Sequence, residues 1–252
     1  MKKCLLLVAI VIAAHSGQAQ IFKKVLGGSK DSSGKSTNSV INSILGSKSG
    51  TGSLTSDEIV AGLKEALSQG AQNGSNKLSA VDGFFKDAVI KILMPPEAKK
   101  VEAKLRSIGL GSQVDKAILS MNRAAEDAAK SAAPIFINAI KQMSIQDAVG
   151  ILRGNDTAAT HYLKDKTTQQ LTEAFRPVIE ESLRKVDATK YWNTVFSTYN
   201  RFSAEKINPD LSAYVTEKSL AGIFYQVGLE EQKIRKDPVA RTTDLLKKVF
   251  AK

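Results

Sequence analysis

The chain has 252 residues, 42% of them hydrophobic and 24% charged, with a formal net charge of +11. That length can bury a sizeable core without disulfide or metal staples. The one cysteine, Cys4, lies in an N-terminal apolar run, so the rest of the chain has neither disulfides nor thiolate chemistry. Part of the positive excess sits near the N-terminus, where Lys23, Lys24, Lys30, Lys35 and Lys48 face only Asp31; the remainder reads as a solvated mixed-charge surface, not a nucleic-acid groove.

Met1-Lys2-Lys3, the apolar run Cys4 to Ala14 and the small residues Gly17 and Ala19 form the pattern of a secretory signal peptide cut after Ala19. The run is too short to span a bilayer, so the expectation is an exported chain that is not transmembrane after cleavage. Cys4 precedes the run and cannot serve as a lipoprotein's acylated cysteine. Residues 20–53 read as a flexible Gly/Ser/Lys-rich tether with one apolar island, Val40 to Leu45. Its lysines suit anionic lipid or a cell-wall polymer, although a solubilising leader without a partner is the plainer reading.

The folded domain is expected over 54–252. Thr55-Ser56-Asp57-Glu58 is a capping box, followed by a stripe of Ile59, Leu63 and Leu67 that Gly70 and Gly74 weaken. Asp82-Gly83 predicts a turn, and Ala88 to Leu93 is too short for periodicity to assign. After Met94-Pro95-Pro96 a helix should carry Val101, Leu105 and Ile108 inward and stop at Gly109. A central helix follows over Ser112–Ser131, with Val114, Ile118, Met121, Ala125 and Ala128 on one face. Seven alanines between Ala117 and Ala133 let neighbouring backbones approach it closely. Pro134 should start a short helix, Ser144 cap another that ends at Gly154, and Asn155-Asp156-Thr157 begin the next. Leu171, Phe175, Val178, Ile179, Leu183 and Val186 form a stripe that Pro177 should kink or break. Tyr191, Trp192, Val195, Phe196 and Tyr199 predict an aromatic-rich helix. Asn208-Pro209-Asp210 then turns into a long helix with Leu211, Val215, Ile223, Phe224 and Val227. Asp237-Pro238 caps a last segment with Leu245, Leu246, Val249 and Phe250. No period-two pattern is sustained, so the fold class is all-α, a multi-helix orthogonal bundle around the Ala-rich helix.

Several motifs fail on their chemistry. Gly28 to Ser36 resembles a phosphate-binding loop but has five residues between its glycines where four are needed, and no strand precedes it. Ser182-x-x-Lys185 and Ser203-x-x-Lys206 match a serine–lysine nucleophile spacing without the partner motifs such enzymes carry. His15 leaves with the signal, so His161 stands alone and no zinc site or other metal centre is expected, nor any cofactor. Glu180-Glu181 and Glu230-Glu231 diverge by about 100° on a helix and read as solvated faces.

Three functional readings follow. A polar constellation of Asn122, Arg123, Glu126, Asp156, Thr157, Thr160 and Arg176 is a candidate ligand-binding site, or else a set of donors for carbonyls released at Pro177. His161 with Asp156 or Glu126 is the catalytic alternative, for a hydrolase or transferase. An apolar carrier site near Trp192, Phe196 and Phe224 is the third.

Six segments carry a resemblance: Leu54 to Ile59, Gly62 to Leu67, Ser120 to Glu126, Asp156 to Thr160, Phe175-Arg176-Pro177 and Ala240 to Leu246. In these the chain resembles DUF4197, an exported bacterial family of unknown function, over about Leu54 to Phe250. The resemblance implies a helical domain in the periplasm or envelope of a Gram-negative bacterium, with no activity or site residue attached. A non-enzymatic protein that binds a ligand or partner (an envelope polymer, a lipid surface or another protein, but not nucleic acid) is the leading expectation.

Overall fold

Local sequence signals set several of the helix ends in a computed structural model of the chain. It describes residues 55–186, 192, 193, 196, 197, 200, 201, 206, 210–241 and 243–249. The chain divides into Met1–Ser47 and Lys48–Lys252, and all the described residues lie in the second unit. The signal peptide, the tether, the loop-like Gly28 to Ser36, Ser203 and the Asn208-Pro209 turn lie outside the described residues.

The described helices are α1 (Ser56–Ser79), α2 (Lys99–Ser107), α3 (Gly111–Ala129), α4 (Ala132–Lys141), α5 (Ile145–Arg153), α6 (Ala158–Lys185), α7 (Leu211–Lys236) and α8 (Asp244–Val249). The fold is an all-α, multi-helix bundle. Thr55 and Glu58 close the capping box at α1, and Ser144 and Asp147 close a second at α5. Gly109, at φ +85°, ends the turn after α2 in a conformation that favours glycine.

Helices α1, α3, α6 and α7 make the body, with α3 and α7 each packed against the other three. Ala124, Ala125, Ala128 and Ala129 are fully buried on α3, with Met121 beside them. Their small side chains allow close approach of the facing helices. Gly70 and Gly74 do not end α1: both are buried, and they bring its backbone against Glu230, Gln226 and Val227 of α7. Tertiary packing there outweighs a propensity cost of about 1 kcal/mol each.

Gly222 of α7 meets the Phe84 ring so closely that a Cβ would sit 2.5 Å from Phe84 Cε1. Phe84 is fully buried and has little room to withdraw. Gly222→Ala is therefore expected to cost about 1–3 kcal/mol through overpacking, more than the ~1 kcal/mol of helix propensity it gains. Thermal unfolding checks this; an unchanged or raised midpoint would mean that the ring gives way.

Two sequence expectations need correction, and a third is narrowed: of the kink or break expected at Pro177, the break is absent. α6 runs unbroken through Pro177. Pro177 and Glu173, whose carbonyl loses its donor, are both exposed, so water can meet the carbonyl. Burial of Phe175, Ile179 and Leu183, worth about 1.5–3 kcal/mol each, exceeds the ~3 kcal/mol cost of the proline. Ile108 faces solvent, since α2 has already ended at Ser107. α4 begins at Ala132, two residues before Pro134, which the first helical turn tolerates.

Candidate functional site

Among the described residues, helix α2 is an element of the body's surface whose apolar side chains are only partly buried. It packs on α3, where Arg106 bridges Glu102 (2.9 Å) and Asp115 (2.8 Å), yet none of its residues is fully buried. Val101 and Leu105 instead line a pocket of about 570 Å³ whose other walls include Met94, Val114, Met121, Trp192 and Phe196. That volume lies within the range of small-molecule sites. Gln113, Lys116, Ala117 and Ser120 of α3, spaced i, i+3, i+4 and i+7, form its helical margin, where Gln113 and Lys116 are exposed. Trp192 and Phe196 pack ring on ring with centroids 4.2 Å apart. The Trp192 indole is buried, and its Nε1 has no hydrogen-bond partner among the described residues.

One wall of the pocket is steadied by Tyr214, whose hydroxyl donates to the Leu93 carbonyl (2.8 Å) next to Met94. Burial is the first cause raising the Tyr214 pKa from about 10 to about 12, with Glu217 and Glu97 adding to it. The neutral phenol is the form the fold favours, so its contribution is complete below pH 10 and is lost as pH rises toward about 12. One of the five tyrosines is expected to ionise only near pH 12, read as phenolate absorbance, with unfolding becoming easier across the same window.

The seven-residue polar constellation is not one site. Asn122 is fully buried, accepting from Ile92 N–H (2.8 Å) and donating to the carbonyls of Ile92 (2.8 Å) and Ile118 (2.7 Å). Glu126 accepts from the amides of Phe84 (3.1 Å) and Phe85 (3.2 Å) and from Arg123 (2.6 Å). Arg123 in turn donates to Asp82 (2.6 Å), a residue at φ +70°. Together these side chains pin the irregular segment 80–93 onto α3.

Thr160 donates through its amide and hydroxyl to Glu231 of α7 (2.9 and 2.8 Å), and Asp156 pairs with Lys236 (2.7 Å). Thr157 is the N-cap of α6 without a side-chain capping bond; Glu231 takes that role from another helix. Arg176 lies sixteen residues along α6, about 24 Å from Thr160 at 1.5 Å per residue. It is exposed and bridges Glu180 (2.8 Å) and Asp210 (2.6 Å), so it serves no carbonyl at Pro177. A single ligand cannot span groups set so far apart.

The chain matches the family described as "protein of unknown function (DUF4197)" over residues 53–251. It belongs to that family. The matched DUF4197 region contains every described residue that lines the pocket. Nothing matches among the curated proteins, and nothing among the solved structures.

Within this DUF4197 domain, His161 is exposed on a second groove, between α6 and α7, that also holds Lys164, Phe224 and Tyr225. No carboxylate hydrogen-bonds to it among the described residues: Asp156 is engaged by Lys236, and Glu126 is buried on α3. Phe224 packs edge-on against Phe136 (5.9 Å) and lines this groove, so it does not join Trp192 and Phe196 at the apolar pocket. Ser182 donates to Asp127 (3.2 Å), and Lys185 pairs with Glu181. Among the described residues no group of His, Cys, Asp and Glu could hold a metal, and no helix is long and apolar enough to cross a membrane.

Glu231 is the residue whose role sequence reasoning missed. It belongs to an acidic pair read as a solvated face, yet it is buried while Glu230 stays partly exposed. The signal was available: Glu231 falls four residues after Val227 and three before Ile234, both on the buried stripe of α7.

Proposed function

We propose that this DUF4197 chain is an exported envelope protein that binds an apolar small molecule in the pocket between α2, α3 and the Trp192–Phe196 pair, without catalysis. The observation that carries the reading is α2: a helix that buries none of its own residues fully while Val101 and Leu105 line a pocket with apolar walls. A ligand there would complete the packing of α2 and remove its apolar side chains from water. Export rests on the Met1–Ala19 pattern and on the exported character of the family it resembles.

Trp192 is the chain's one tryptophan and lines the pocket, so it reports occupancy directly. Titration with N-phenyl-1-naphthylamine, a neutral apolar fluorophore, should give saturable one-to-one binding with energy transfer from Trp192. Absence of saturation, or binding without transfer, would refute the site. N-terminal sequencing of protein recovered from periplasmic extract should begin at Gln20; an intact Met1 in the cytoplasm would refute export.

A further inference from the structure

Among the described residues the pocket's margin carries one cation, Lys116, and one free amide donor. Ser120 has given its hydroxyl hydrogen to the Lys116 carbonyl (2.8 Å), and the Gln113 amide oxygen accepts from Ser112, which leaves the Gln113 NH₂. Lys116 forms no ion pair among the described residues. The nearby carboxylates of Glu102 and Asp115 are both held by Arg106, while Lys99, Lys100 and Lys104 of α2 are without ion pairs among the described residues. Among the described residues Lys116 and the Gln113 NH₂ thus stand at the margin of walls that are mostly apolar.

From this geometry we infer that the ligand is a single-chain amphiphile with an anionic head. Its chain lies along Val101, Leu105, Met121 and Phe196, and its head is held by Lys116 and the donors beside it. This rests on the proposed binding function and goes further by assigning the ligand's charge. A carboxylate accepts several hydrogen bonds at once and brings the counter-charge the rim lacks. A neutral head leaves the Lys116 charge unmatched, and a cationic head is repelled by it.

The test compares laurate, dodecanol and dodecyltrimethylammonium on the full exported chain, each read by Trp192 emission and by displacement of N-phenyl-1-naphthylamine. Laurate is expected to bind about tenfold tighter than dodecanol, with the cationic amphiphile weakest. Raising the salt should narrow the gap. Lys116→Gln should weaken laurate by much more than it weakens dodecanol, and because Lys116 is exposed the variant should fold as the parent does. Equal binding of laurate and dodecanol, or an unaltered laurate preference in Lys116→Gln, overturns the charge assignment while the binding function stands. Failure of the fluorophore and all three amphiphiles to bind overturns both.

Discussion

Glu231→Ala is expected to lower the unfolding free energy by about 3–5 kcal/mol, the cost of stranding one partner of a buried ion pair. Glu231 is 5% exposed and serves two groups of partners at once. One oxygen accepts from the Ala159 amide (3.0 Å) and the Arg235 guanidinium (2.8 Å); the other accepts from the Thr160 amide (2.9 Å) and hydroxyl (2.8 Å). Alanine would leave the first amides of α6 without their acceptor, in a helix whose own N-cap side chain makes no capping bond. It would also leave the Arg235 charge with only the Ile151 carbonyl (2.9 Å). A carboxylate at a helix N-terminus gains further from the helix dipole, and that gain is lost too. Glu231→Gln keeps the shape and part of the hydrogen bonding, so it should fall between the parent and the alanine variant. Chemical denaturation of the three proteins gives the order; a loss under 1 kcal/mol in Glu231→Ala would mean that water replaces the carboxylate.

Ala117→Phe is expected to abolish ligand binding, weakening the neutral fluorophore by at least about tenfold, with folding stability kept. Ala117 lines the pocket on α3 and is only partly buried, so a larger side chain there projects into space that is already present. Filling existing space avoids the overpacking that makes small-to-large changes costly in a full core. The same substitution at Ala125, which is fully buried within the body, should instead destabilise the fold. The contrast separates a site from a core position: loss of binding without loss of stability at Ala117, and loss of stability at Ala125. Phenylalanine at Ala117 that leaves binding unchanged would place the ligand elsewhere.

The helices were legible because their signals are local. Thr55 with Glu58 and Ser144 with Asp147 announce helix starts through bonds made within a single turn. The stripe from Leu171 to Leu183 is the repeat of one buried face. The helix does not break at Pro177 because a proline's cost is a local quantity, whereas its offset is the burial of Phe175, Ile179 and Leu183 against other helices. The polar constellation misled for the same reason. Periodicity places Thr160 and Arg176 on one helix but does not say that Glu231 of α7 and Asp210, the N-cap of α7, claim them at opposite ends. Val101 and Leu105 were read correctly as inward-facing. That the space before them is open depends on how far Trp192 and Phe196 stand from α2, which no spacing in one chain encodes.

Amide hydrogen exchange with and without bound N-phenyl-1-naphthylamine tests the central claim most directly, because it locates the ligand along the backbone. α2 buries none of its residues fully, so its amides should exchange readily in the free protein. Ligand should slow exchange across Lys99–Ser107 and in the first half of α3, Gly111 to Met121, and leave the α6–α7 groove around His161 as it was. Protection centred on His161 and Tyr225, with α2 unchanged, would contradict the account.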